Sequence, residues 1–395
     1  MISKITTLLS LLLLLLTSSC HRQRLEEFYY SKALIPILIN WEEKALMYVD
    51  NDPDDDLYSA SLWLFPREGS DYQGDPIEYR LTNPVFDYIE APIGVYDVLV
   101  FNKTVGEFSS NVGFRGTDKF ETFEYYTKPY LNSQGETVEV DGRELRLEPD
   151  LLAAWRSPED QPFVVTLDMI QKIEGVQECQ REINEKYFFV KDDVSSKVLA
   201  TNITKSDFDS LSEEFTQLVI LYPERLTHIV TVEHCVKNLN SAASASGVIS
   251  GMSESVIMAP AEYSAMQTSG SFDLTGKYIT SEDGKDGYVD GSVRVIGPLH
   301  HDYNPTYNFL SKFVLKAEYE GSLIYPTPPA DAFSYGVTDQ VYDGEEKMGL
   351  DKIIPLCICG FDDGGGGVVL PDTSFGSGGF DVSVNDWDDE IDIPL

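Results

Sequence analysis

The chain has 395 residues, with 66 Asp and Glu against 29 Lys and Arg and a formal net charge of −37. A field of that sign repels phosphate backbones and anionic lipid headgroups, which argues against nucleic acid as a partner. The length accommodates two or three domains, each able to bury its own core.

Lys4 precedes an apolar run from Ile5 to Leu16 that ends in six consecutive leucines, followed by Thr17-Ser18-Ser19. A charged start, an apolar stretch of this length and small residues at its end predict a removable signal peptide over residues 1–19. The mature chain then starts at Cys20 with a charge of −38, because Lys4 is the only charged residue removed. A cysteine so placed resembles the lipobox of bacterial lipoproteins, in which the thiol receives a diacylglycerol and the amine an acyl chain. Thr17 departs from that pattern, which has Leu there; Leu16 lies one step further back. The run is short of the ~20 residues a spanning helix needs, whereas acyl chains contribute roughly 0.8 kcal/mol per buried methylene. The expectation is membrane attachment through a lipid on Cys20, a tether over residues 20–32, and an outer-membrane location facing the cell surface or the periplasm. An ordinary signal peptide ending in cysteine is the alternative.

Beyond the tether, helix periodicity is scarce and short β-branched and aromatic runs recur between Gly, Pro, Asn and Asp. Ile35, Ile37, Ile39 and Trp41 share one face of a first predicted strand. Tyr58, Ala60, Leu62 and Leu64 share that of a second, which ends at Pro66. Residues 77–81 predict a third, and Val95 to Phe101 is apolar enough on both faces to be central. Phe120 to Tyr126 predicts another strand, and Thr137 to Leu147 a hairpin around Asp141-Gly142. This spacing predicts a β-sandwich over residues 33–157.

The pattern breaks between Trp155 and about Phe215, where a strand over Phe163 to Ile170 could close either sheet. Ser210 and Glu213 have capping-box spacing and predict a short helix over Ser206 to Phe215. Strand signals resume at Leu218–Tyr222, Leu226–Val232 and Ser255–Met258. Val289, Gly291, Val293 and Val295 then alternate with polar residues, as do Phe313, Leu315, Ala317 and Tyr319. A second β-sandwich over residues 158–363, with an insertion near 176–211, is the economical reading. Residues 364–395 form a Gly-rich linker and an acidic tail in which Phe380, Val382 and Val384 alternate ahead of Trp387. Such a peptide suits addition to another sheet's edge, a place as the last strand of its own domain, or a disordered tail.

Four cysteines remain after Cys20: Cys179, Cys235, Cys357 and Cys359, with three pairings open to them. Cys357 and Cys359 fall on one face of a strand; no second ligand pair stands at recognisable spacing, so buried apolar thiols are expected. No nucleophile elbow, zinc-protease motif or phosphate-binding loop occurs, and no cofactor or metal is expected. Alternation places His228 and His234 on one face of a strand and Glu233 on the other, against a catalytic group. His300-His301-Asp302 reads as a solvated turn. Asp50, Asp52 and Asp54 start like a calcium loop, but Asp55 and Ser61 replace the Gly and Glu it needs.

Several motifs recur in order: Ser18-Ser19-Cys20, Ser61-Leu62-Trp63-Leu64-Phe65-Pro66, Pro92-Ile93-Gly94-Val95-Tyr96, Phe120-Glu121-Thr122-Phe123-Glu124, Val337-Thr338-Asp339-Gln340-Val341 and Gly378-Gly379-Phe380-Asp381-Val382. Together they resemble the fimbrillin-like lipoproteins of Bacteroidales, a group related to fimbrial anchor subunits. The resemblance implies two transthyretin-like β-sandwiches in tandem, all-β, with outer-membrane tethering and fimbrial subunits as partners. It implies a non-enzymatic role in fimbriae or adhesion, as anchor or accessory subunit. The alternative is a glycan-binding surface lipoprotein of a polysaccharide-uptake system.

Overall fold

The computed structural model describes residues 31–41, 59–82, 86–167, 169, 177, 181, 189–191, 198–200, 218–299, 303, 305–315, 334–347, 352–359 and 367–370. Strands dominate. The first eleven are β1 (Lys32–Ile39), β2 (Ala60–Pro66), β3 (Ile77–Leu81), β4 (Phe86–Pro92), β5 (Gly94–Asn102), β6 (Val112–Arg115), β7 (Glu124–Thr127), β8 (Glu139–Val140), β9 (Arg143–Arg146), β10 (Ala153–Arg156) and β11 (Phe163–Val165). An isolated pair follows, β12 (Phe189–Lys191) with β13 (Val198–Ala200). Next come β14 (Val219–Leu221), β15 (Glu224–Arg225), β16 (His228–Lys237), β17 (Ala242–Ser253), β18 (Ser255–Ile257), β19 (Glu262–Tyr263), β20 (Gln267–Asp273), β21 (Gly276–Ile279) and β22 (Gly287–Val295). The last described elements are β23 (Asn308–Leu315), β24 (Ser334–Gly336), helix α1 (Thr338–Lys347), β25 (Ile353–Ile358) and β26 (Val368–Val369).

The sheets stack around three apolar clusters. In the first, β14-β1-β4 lies against β15-β10-β5-β2-β3, with Ile35, Ile37 and Ile39 of β1 packed on Leu62, Leu64 and Val98. The other face of β5 and β10 supplies Leu99, Phe101 and Ala154 to a second cluster, closed by Phe123 and by Tyr125 and Val256 of the sheet β19-β18-β7-β6. Burial on both faces explains why β5 reads as a continuous apolar run. The third cluster fills the space between β21-β22-β16-β25 and β24-β23-β17-β20-β9-β8, where Val230, Val232 and Val293 meet Ile249, Phe309 and Phe313.

The all-β sandwich architecture agrees with the sequence reading. Chain segments on either side of residue 157 are interleaved. The β8–β9 hairpin joins the third cluster's sheet through β20, where Leu145 stands opposite Ser269. In the other direction β14 runs parallel to β1, β15 pairs with β10, and β18 pairs with β7.

Local corrections have identifiable causes. Phe120–Thr122 is a 3-10 turn and the strand starts at Glu124, because spacing of three residues turns Phe120 and Phe123 onto Phe65, with centroids 5.7 and 6.1 Å away. The strand expected over 163–170 ends at Val165 and pairs with β5. The strand expected from Leu226 starts at His228. The hairpin over 137–147 is present, with Asp141 and Gly142 at φ of 56° and 69°, the positive values a tight two-residue turn demands. The helix expected over 206–215 lies outside the described residues, as do Tyr58, Ala317 and Tyr319.

Candidate interaction surface

Cys20, and the tail residues Phe380, Val382, Val384 and Trp387, lie outside the described residues. What the structure places is where each segment joins the fold. The tether leads into β1, the middle strand of its sheet; Ile93 N–H donates to the Ser31 carbonyl at 2.8 Å and Lys32 pairs with Glu90 at 3.4 Å. The C-terminal segment leaves from the end of β26. There Leu370 N–H donates to the Lys237 carbonyl at 3.0 Å, and the Asn238 amide donates to the Leu370 carbonyl at 2.7 Å. Asn238 is left-handed at φ 58°, a conformation Asn tolerates, and its N–H donates to Asp286 at 2.9 Å.

Two sheet edges differ in what they offer a peptide. In β25, Ile229 N–H donates to the Lys352 carbonyl and the strands run parallel, so residues 353, 355 and 357 direct their backbone groups away from β16. Pro355 has no N–H to offer. Cys357 N–H donates to the Gln340 side-chain oxygen at 2.7 Å and its carbonyl accepts from the Gln340 amide at 3.1 Å. Residue Gln340 of α1 thus occupies that edge at Cys357. On β1, Asn40 N–H donates to the Leu221 carbonyl, so the even-numbered residues face β14, which pairs only with Ile37–Ile39. Among the described residues no strand pairs with β1 on that side from Lys32 to Pro36.

A groove of about 1240 Å³ runs beside the end of β10, lined by Phe120, Trp155, Arg156 and Tyr222. Arg67 braces it, donating to Asp97 at 2.8 Å through Nε and to the Glu159 carbonyl at 2.8 Å. A cleft of about 970 Å³ touches Thr231, Glu233, Asp290, Ser292, Pro355 and Cys357, the outward residues of β16, β22 and β25.

The histidines of β16 behave as alternation requires. His228 and His234 are buried and Glu233 is exposed on the opposite face. Burial holds His228 down to a pKa of about 3, and its Nδ1 lies 3.1 Å from the Ile296 carbonyl. His234 sits among Tyr335, Phe309 and Phe313, with ring centroids 5.4 to 5.7 Å away. These are packing positions. The segments 50–54 and 300–302 lie outside the described residues.

The expectation of buried thiols at Cys357 and Cys359 is corrected. Cys359 forms a disulfide with Cys235 and Cys357 is exposed as a free thiol. Parallel pairing of β25 with β16 continues past Ile358, which brings position 359 beside 235 with Cα atoms 4.9 Å apart. Nothing in the spacing of 124 residues announces that register. Cys179 lies outside the described residues.

Residues 19–273 match a protein family described as a domain of unknown function, DUF5119. No functionally curated protein matches the chain. Among solved structures, a candidate adhesin from Bacteroides ovatus is similar at 12% identity, covering 88% of this chain and 95% of its own, with a TM-score of 0.49. A candidate adhesin from Bacteroides thetaiotaomicron is similar at 7% identity, over 82% of this chain and 89% of its own, with a TM-score of 0.40. The fimbrial anchor protein Mfa2 from Porphyromonas gingivalis is similar at 10% identity, over 84% and 94%, with a TM-score of 0.36.

Proposed function

The chain belongs to the DUF5119 family, whose description assigns no activity, and we propose that it is a non-enzymatic outer-membrane lipoprotein that anchors or supports a fimbrial or adhesive structure. The carrying observation is the run from Ile5 to Ser19 ahead of Cys20, which leads within a dozen residues into the middle strand of a sheet. Residues 20–31 reach at most roughly 40 Å, so a lipid on Cys20 holds the first sandwich close to the bilayer. The two sandwiches serve as a spacer. Residues 380–395, or an exposed edge groove, engage a fimbrial neighbour by strand addition.

The test is co-purification from envelopes with and without the segment 380–395. Loss of high-mass assemblies on deletion, with the shortened chain still membrane-bound, supports donation of the tail. Unchanged assemblies refute it.

The second reading is glycan binding, favoured by the groove where Phe120 and Tyr222 stand near Arg67 and Asp97, since aromatic faces and charged hydrogen-bonding groups together suit sugars. It requires glycan-array binding that Tyr222→Ala abolishes.

A further inference from the structure

Two strands paired in parallel place every second residue of both on one face. On β16 those residues are Thr231, Glu233 and Cys235; on β25 and just beyond it they are Pro355, Cys357 and Cys359. The sequence offers a Cys-x-Cys without a partner pair, and the fold supplies Glu233-x-Cys235 alongside it. A Glu233 carboxylate oxygen, Cys235 Sγ and Cys359 Sγ all lie within 4.8 Å of one another. Glu233 is exposed and the two cysteines are half-buried, so solvent reaches the group.

We propose that opening the Cys235–Cys359 bridge creates a zinc site whose protein ligands are Cys235, Cys359 and Glu233. Two thiolates and one carboxylate are three of the four donors of a tetrahedral zinc ion, with sulfur ligands at about 2.3 Å and water in the fourth position. A dithiol reductant gives two electrons and two protons to the bridge, which becomes two thiols, and the reductant leaves as its own disulfide. Zn²⁺ then binds both sulfurs and releases both thiol protons to solvent. Disulfide and metal are mutually exclusive occupants of one pair of sulfurs, so the site is set by the redox state around it. Cys357, which faces Glu233 across the ladder, is a bystander; it is exposed, and its backbone is held by Gln340.

The mature chain carrying Cys179→Ser and Cys357→Ser is compared before and after treatment with a dithiol, using zinc calorimetry and the ultraviolet thiolate absorption of a Cd²⁺ complex. One zinc per reduced chain and none per oxidised chain are expected. Glu233→Gln should weaken binding at least tenfold, and Cys235→Ser or Cys359→Ser should abolish it. Equal binding by oxidised and reduced chains would overturn the proposal, as would binding indifferent to Glu233→Gln. Loss of the β-sheet circular dichroism on reduction would overturn it equally, since the ligands would no longer be held together.

Discussion

The side-chain amide of Gln340 pairs with both backbone groups of Cys357, accepting from its N–H at 2.7 Å and donating to its carbonyl at 3.1 Å, as a neighbouring strand would. An edge strand left open is a template for another chain, and here a helix residue occupies the one position between Pro355 and the disulfide that could be read.

Gln340→Ala removes both hydrogen bonds and uncovers the edge. The expected cost is about 1–2 kcal/mol in a denaturation midpoint, with added self-association in light scattering. A variant as stable and as monomeric as the parent would show that α1 does not guard β25.

Stability below neutral pH carries the signature of His228. Its folded pKa is about 3 and its unfolded pKa about 6.5, so the unfolded chain binds the extra proton between those values. Stability therefore rises with pH across that window, by up to about 1.4 kcal/mol per unit from this group alone, and is fully present above it. His228→Gln removes that slope. The comparison is of urea midpoints at pH 4 and pH 7, and the parent should lose more than the variant on going to pH 4. Glu124, held below the usual carboxylate range chiefly by its hydrogen bonds from Arg115, adds a loss of the same sign at lower pH in both proteins.

Arg146 of β9 and Glu254, between β17 and β18, form a nearly buried ion pair at 3.3 Å, and Arg146 also donates to the Thr127 carbonyl at 2.7 Å. Removing the guanidinium leaves Glu254 without its closest cation. Arg146→Ala should cost about 3 kcal/mol, and a double-mutant cycle with Glu254→Ala should return a coupling of about 1–3 kcal/mol. Additive effects would mean the pair does not join these two stretches of chain.

Strand β17 is threaded between β20 and β23 by virtue of its small residues. A Cβ on Gly247 would meet Phe309 at 2.8 Å, and one on Gly251, at φ +99°, would meet the Thr306 carbonyl oxygen at 2.5 Å. Gly247→Val should cost about 1–3 kcal/mol by overpacking, and Gly251→Ala at least 1 kcal/mol by backbone strain, both read from denaturation curves. Neutral results at both positions would contradict the packing described.

Alternation made β1, β2, β5 and β22 legible, because their apolar residues sit in clusters that demand one face or two. The β17 segment Ala242–Ser253 gave no such signal: its Ala, Ser and Gly residues fit a strand crowded by Phe272 and Phe309, a demand set by neighbours distant in sequence. β4 and β20 were missed as well; β20 is rich in Thr, Ser and Gly, and its identity comes from pairing with β17. The Cys235–Cys359 bridge and the Gln340 clasp depend on parallel register between segments more than a hundred residues apart, or on a helix that carries no long apolar stripe. The proposed lipid site rests wholly on residues 1–20, where a charged start, an apolar run and small residues precede Cys20 in order.

The measurement closest to the central claim is mass spectrometry of the N-terminal peptide from envelope-extracted protein. The expected result is a chain starting at Cys20 whose mass carries a diacylglyceryl thioether and an acylated amine, and a Cys20→Ala chain that leaves the envelope fraction. An unmodified Cys20, or a chain recovered free in the medium, would contradict it.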